Sequence, residues 1–206
     1  MRYWPGSRRS TSATQTPALE VRAMMRLFVG IKLPEQHKQT LNRFQNGLPD
    51  ARWTAPENLH LTLRFIGEIE EPQAEDLHDA LMHVSAPAFP LKIAGAGYFA
   101  SGKRPRTLWA GVENAEAGLD FLQSKIERAA QKSGLEPEGR RFTPHVTLGR
   151  VTASPMNRLD AYVADNAALS LPVWTVEYFT LFESTLGKSQ ASYRALADYP
   201  LIGAML

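Results

Sequence analysis

Two histidines, His60 and His145, stand in the same local pattern, "HLTL" at 60–63 and "HVTL" at 145–148, 85 residues apart. Near neutral pH one imidazole can hold a proton while another lacks it. A facing pair can therefore take a proton from a nucleophile and give one to a leaving group. The threonines two residues on, Thr62 and Thr147, each offer a hydroxyl that can donate to an anionic oxygen. Two hydroxyls match the two non-bridging oxygens of a phosphodiester, and the set suits in-line attack at phosphorus with no metal. One strand histidine is more often a packed structural residue; the recurrence of the whole pattern argues for chemistry. Zinc is the nearest rival, but two histidines are too few ligands and neither motif carries a carboxylate on its face. A covalent phosphohistidine route would call for lysine or further histidines where both motifs have threonine.

Positioning such groups needs rigid elements, and both motifs read as strands. Alternation puts His60, Thr62 and Arg64 on one face and Leu59, Leu61, Leu63 and Phe65 on the other. In the second copy His145 and Thr147 share a face, Val146 and Leu148 oppose them, and Gly149 leaves space beside the pair. Strand patterns fall near 26–33, 59–66, 89–97, 107–113, 145–151, 173–183 and 191–197. Between them lie helical patterns: one opened by Pro34 with Leu41, Phe44 and Leu48 on a face, and one opened by Pro72 with Leu77, Leu81 and Val84. A third runs through Leu119, Leu122, Ile126 and Ala129 to a stop at Gly134, and a weaker fourth covers about 157–168. "AGAG" at 94–97 lacks the Lys-Ser/Thr ending of a phosphate loop and reads as a strand-end turn.

The composition bounds what the chain can be. Its 206 residues, 44% hydrophobic and 21% charged, suffice for a real core in one domain or two small lobes. Cysteine is absent, which excludes disulfides, thiolate catalysis and cysteine zinc sites. No apolar run approaches the roughly 18 residues of a membrane span. The net charge is +2, of which residues 1–24, with four arginines against one glutamate, hold +3. The remainder is thus −1, and any nucleic-acid contact must come from a local basic lining. Residues 1–24, rich in Ser, Thr, Arg and Pro, read as a disordered extension, whether a transit-like segment or an upstream-extended start. One bilobal domain is expected over 25–206.

The doubled motif resembles that of the two-histidine (2H) phosphoesterases, and most closely their RNA 2′,3′-cyclic phosphodiesterase branch, also called 2′-5′ RNA ligase. The likeness covers about 25–202 and includes "RLFVGIKLPE", "RWTAPENLHLTLRFIGE", "RRFTPHVTLGRV", "FTLFEST" and "YRALADYPL". It implies an α+β fold, bilobal, with two antiparallel sheets facing across a central cleft, one motif per lobe, and helices on the outside. It also implies the reaction: metal-independent, cofactor-free opening of a terminal 2′,3′-cyclic phosphate to a 2′-phosphate, with 2′-5′ joining of RNA ends as a reverse-type activity. By the same resemblance His60 protonates the departing 3′-oxygen and His145 activates water. One donor and one acceptor predict a bell-shaped pH profile. The expected partners are RNA ends or nucleotides bearing the cyclic phosphate, met by a cytoplasmic monomer. The alternatives are a related phosphodiesterase acting on 2′-5′ oligonucleotides or small cyclic nucleotides, and a non-catalytic module that binds RNA ends.

Further candidates for the substrate follow. Arg64 shares the His60 face by parity and can clamp phosphate, or else be a solvated strand-end arginine. Arg140 matches an arginine five residues before the second histidine in the family; where many relatives carry another basic residue, two before it, this chain has Thr143. Arg150 falls on the opposite face from His145. "GKRPR" at 102–106 is a basic loop able to track a strand of RNA, or a solvated turn. Tyr193, Phe142 and Trp53 are candidate stacking partners for a base, each with a core role as the alternative. His37, His78 and His83 sit in helical patterns and are assigned no chemistry.

Overall fold

The computed structural model describes residues 23–101, 104–113, 117–187 and 191–203. The expected extension lies outside the described residues except for its last two, and Met24 already opens the first strand. Among the described residues the strands are β1 (Met24–Lys32), β2 (Arg52–Trp53), β3 (His60–Glu70), β4 (Phe89–Ser101), β5 (Arg104–Glu113), β6 (His145–Arg150), β7 (Trp174–Val176), β8 (Tyr178–Leu186) and β9 (Ala191–Pro200). The helices are α1 (Glu35–Asn42), α2 (Glu71–Met82), α3 (Ala117–Lys132) and α4 (Met156–Asp165).

Local chemistry explains the boundaries. Pro34 is the N-cap of α1 and Pro72 lies in the first turn of α2, where a missing N–H costs nothing. Helix α3 ends as its glycine requires: Gly134 has φ +83°, and the Gly134 and Leu135 amides donate to the Gln131 and Ala130 carbonyls at 3.0 and 3.1 Å. After β6 the Asp50 carboxylate accepts from the amides of Ala153 and Ser154 at 2.8 and 2.7 Å and from the Ser154 hydroxyl. The hydroxyl bond, followed by those amides, holds Asp50 well below the usual carboxylate range. The pattern at 173–183 forms two strands broken at Glu177 rather than one, and the two-residue β2 carries too short a signal to be read.

The strands form a curled antiparallel sheet in the order β7-β4-β5-β6-β3-β1-β8-β9, with β2 against β6. Each half holds one motif, and the halves meet where β3 and β6 pair antiparallel at Leu61↔Val146. Helices α2 and α3 pack together against β3, and α4 packs on β4. The core lies beneath them: Leu27, Val29, Leu61, Leu77, Leu122, Ile126, Val146 and Leu148 all belong to one buried cluster. The α+β class, the antiparallel strands and the outer helices are those expected, with the two expected sheets joined as halves of one curled sheet through β3 and β6.

Strand parity breaks at two places, where β3 shifts register against β1. Thr62 pairs with Gly30 and Arg64 with Val29, so Leu63 is an extra residue in β3, a β-bulge. This bulge inverts the alternation at Arg64 and Phe65, and a second extra residue, Ile66, between the pairs Phe28↔Phe65 and Leu27↔Gly67, restores it. Arg64 turns inward and is 9% exposed, while Phe65, expected in the core, is 63% exposed.

Candidate active site

The pairing of Leu61 with Val146 sets the site. Both side chains are fully buried, and residues flanking a directly opposed pair point to the other face of both strands. His60, Thr62, His145 and Thr147 therefore share the face away from the core. Because the strands run antiparallel, His60 lies toward Thr147 and Thr62 toward His145, so the four side chains are related by a local two-fold through the Leu61–Val146 pair.

Both rings are held the same way. The Nδ1 of His60 lies 2.6 Å from the Asn58 carbonyl and that of His145 lies 2.7 Å from the Thr143 carbonyl, in each case two residues upstream. A carbonyl only accepts, so Nδ1 carries the proton and Nε2 of the neutral ring is an acceptor facing away from the backbone. The His60 Nε2 is 2.9 Å from the Thr62 hydroxyl, which keeps hydroxyl and imidazole aimed at one point.

Burial pushes the His60 pKa down to about 4 against the upward pull of the Asn58 carbonyl, and the charge of His145 lowers it further. That interaction places the imidazoles within electrostatic reach of each other. Burial also lowers the His145 pKa, opposed by the Thr143 carbonyl. A histidine depressed in the folded state favours folding while neutral, so its contribution is present above pH 6.5 and is lost as pH falls toward about 4. Denaturant unfolding at pH 7 and pH 4 should show an acid-side loss that shrinks by up to ~3 kcal/mol in His60→Gln.

Aromatic rings surround each histidine. Phe28 lies 4.7 Å from His60, Tyr193 meets His60 edge-on at 5.1 Å, and Phe182 is stacked on Phe28 at 4.8 Å. Across the junction, Phe99 is edge-on to His145 at 4.8 Å and packs on Trp109 at 5.4 Å. Trp109 lies flat over Gly97, where a Cβ would stand 2.3 Å from its ring carbons, and this close approach accounts for the glycine. Both aromatic groups keep water from the imidazoles, the burial that depresses their pKa values.

The structure brings Tyr193 edge-on to His60. It takes Arg64 away: the guanidinium sits under the sheet, 2.6 Å from Glu127 and 3.3 Å from Glu138, and donates to the Phe65 and Glu136 carbonyls at 2.7 and 2.5 Å. The bulge at Leu63 is the physical reason. Arg140 is exposed on the segment leading into β6. Trp53 lies over Gly149 beside Tyr162, and Phe142 packs against the core. Arg150 is exposed at the end of β6, and the side chains of the basic loop at 102–106 lie outside the described residues. His37 bonds the Pro172 carbonyl, His78 the Tyr199 hydroxyl and His83 the Asp79 carbonyl, all remote from the motifs in sequence and each with a structural partner.

Phe65 is the residue that the alternation hid. It is the Cα partner of Phe28 and their rings are 6.1 Å apart, so it stands on the histidine face, next to the ring that touches His60. Among the described residues no group of three or more potential ligands is clustered for a metal ion, and no helix is long and apolar enough to cross a membrane.

Comparison with known proteins identifies a family. The profile of the LigT like Phosphoesterase family matches residues 31–109 and, a second time, 111–193, one motif in each stretch. A protein of Geobacillus stearothermophilus named RNA 2′,3′-cyclic phosphodiesterase is 30% identical over 86% of the chain, which spans 57% of that relative's length. Proteins of the same name from Aquifex aeolicus and Escherichia coli are 28% and 29% identical, over 87% and 85% of the chain and 99% and 96% of their own. The crystal structure of E. coli LigT complexed with 3′-AMP superposes with a TM-score of 0.71 at 28% identity, covering 87% of this chain and 99% of that one. A Thermus thermophilus protein gives 0.71 at 26% identity over 88% and 100%.

Proposed function

Because the chain belongs to the LigT-like phosphoesterase family, we propose that it opens RNA 2′,3′-cyclic phosphates to 2′-phosphate ends, with His60 and His145 as the acid–base pair and Thr62 and Thr147 as phosphate ligands. One observation carries the reading: two imidazoles and two hydroxyls, related by a local two-fold, converge on one sheet face with both Nε2 atoms free of backbone partners. Relatives named for this reaction support the choice of substrate.

The phosphate sits between the motifs with its non-bridging oxygens toward the threonine hydroxyls. Its negative charge raises both imidazole pKa values, while the repulsion between the rings disfavours a second proton, so the bound pair holds one. The productive form carries that proton on His60, which gives it to the departing 3′-oxygen. His145, neutral in that form, deprotonates the attacking water. Ring opening of the strained cyclic ester then needs two short proton transfers. Arg140, exposed just upstream of His145, is available to the RNA backbone. The reading extends to a cytoplasmic monomer with a single domain over 25–206.

Phe65 gives the terminal nucleobase a surface. Tyr193 is committed edge-on to both Phe28 and His60, at 5.0 and 5.1 Å; Phe65 has a face open to solvent. Stacking of one base on an aromatic ring contributes ~1–3 kcal/mol. Phe65→Ala should raise KM for a nucleoside 2′,3′-cyclic phosphate by about 5- to 100-fold with kcat little changed, and steady-state kinetics checks it.

The test of the function is an assay with EDTA present, on a nucleoside 2′,3′-cyclic phosphate and on an RNA ending in one, with the product isomer identified. A 2′-phosphate product is the expected result. Turnover confined to 2′-5′ oligonucleotides, or ligand bound without turnover, would overturn it.

A further inference from the structure

The two motif strands share little backbone pairing: within the described residues β3 and β6 are in register at Leu61↔Val146 alone. Something else must hold the second histidine at its distance from the first, because the chain between α3 and β6, residues 135–144, contains no helix or strand. Within the described residues Leu135 and Phe142 pack that segment on the core, and one polar cluster ties it to the first motif strand. The Arg64 guanidinium donates to the Glu136 carbonyl at 2.5 Å, lies 3.3 Å from the Glu138 carboxylate and 2.6 Å from Glu127 on α3, and bonds its own strand at the Phe65 carbonyl. Glu127 in turn accepts from the Glu138 amide at 3.0 Å, and Glu138 from the Arg140 amide at 3.3 Å. The path is continuous: from Arg64, four residues after His60, through space to Glu136 and Glu138, then along seven residues of chain to His145.

We propose that Arg64 is a positioning residue for the reaction, a brace that sets the separation of His60 and His145 by tying the first motif strand to the segment that delivers the second. It touches neither imidazole nor the site face. The fit of residue to role is chemical: a planar fork with five donors can satisfy a strand carbonyl, a loop carbonyl and two carboxylates at once, whereas an ammonium serves them only as a point charge. The cost of losing the brace is geometric, since a misplacement of about 1 Å in a two-group site lowers rate on the order of 10²-fold.

This inference rests on the proposed acid–base pair, and its test has one readout of turnover and one that needs none. The variants are Arg64→Lys, which keeps the buried charge and loses the fork, and Glu138→Gln, which weakens the grip at the solvent side of the cluster and avoids a buried unpaired charge. With a nucleoside 2′,3′-cyclic phosphate, kcat should fall about 10- to 100-fold in Arg64→Lys and several-fold in Glu138→Gln, with KM within about twofold of wild type. NMR titration of the histidines, with the fold checked by circular dichroism, should show the His60 and His145 pKa values moving toward each other, because rings held farther apart repel less. A merely structural arginine would lower the melting temperature and leave the titrations and kcat of the folded fraction unchanged; that outcome overturns the proposal. If the wild-type protein itself turns over no cyclic phosphate, the functional reading fails, and unaltered titrations in both variants would still overturn the brace.

Discussion

His60→Ala and His145→Ala should each lower kcat by ~10² to 10⁴-fold, the range for a positioned proton-transfer group, while circular dichroism shows the fold intact. The double replacement should cost little more than the worse single one, because donor and acceptor act in one transition state and removing either disables both. Retained activity in both single variants would sink the assignment. The pH dependence follows from the same two rings. Both pKa values lie below 6.5 in the free protein, that of His60 at about 4. Below the lower value both rings are protonated and the base is lost; above the upper one neither carries the proton that the leaving oxygen needs. A plot of kcat/KM against pH should therefore peak between about 4 and 6.5 and decline through neutrality. A peak above pH 7 would mean that the rings are less shielded from water than the surrounding aromatics make them.

The second large effect is on stability. Leu61 is fully buried and lies at the register pair that joins the two halves of the sheet. Leu61→Ala should destabilise the fold by ~2–5 kcal/mol, the range for a buried leucine whose surroundings cannot close over the void. Leu63→Ala, on the same strand and 3% exposed, makes the instructive comparison: equal losses would mean that only burial matters. Because Leu61 also stands between His60 and Thr62, its variant should lose kcat in the fraction that remains folded, and urea titration followed by kinetics at low denaturant separates the two effects.

Much of this was legible in the residues. The pair of His-x-Thr motifs, the four helices and the alternation around both histidines are local patterns, and a local pattern survives when the rest of the fold agrees with it. Gly134 could be read as a cap because only the conformation of one residue was at stake. Arg64 and Phe65 were misread for the opposite reason. Whether a strand carries a bulge depends on the partner it pairs with, and nothing in "LTLRF" records the spacing of Gly30 and Val29 on β1. The junction of the two half-sheets was invisible on the same ground, since Leu61 and Val146 look like any other core pair until their register is known. Tyr193 could be picked out as an aromatic near a motif-like segment, but its edge-on contact with His60 depends on how β9 and β8 pair.

The extra residue at Leu63 shifts the phase of β3, like a text whose reading frame slips partway along a line, until a second one at Ile66 shifts it back. Upstream of Leu63, His60 and Thr62 share the site face; between the two shifts the frame is changed, and the charge goes beneath the sheet while the ring comes out. Deleting Leu63 would remove neither histidine nor either threonine, yet it would exchange the places of a cation and a phenyl ring and leave a guanidinium beside two imidazoles whose proposed roles need one proton between them.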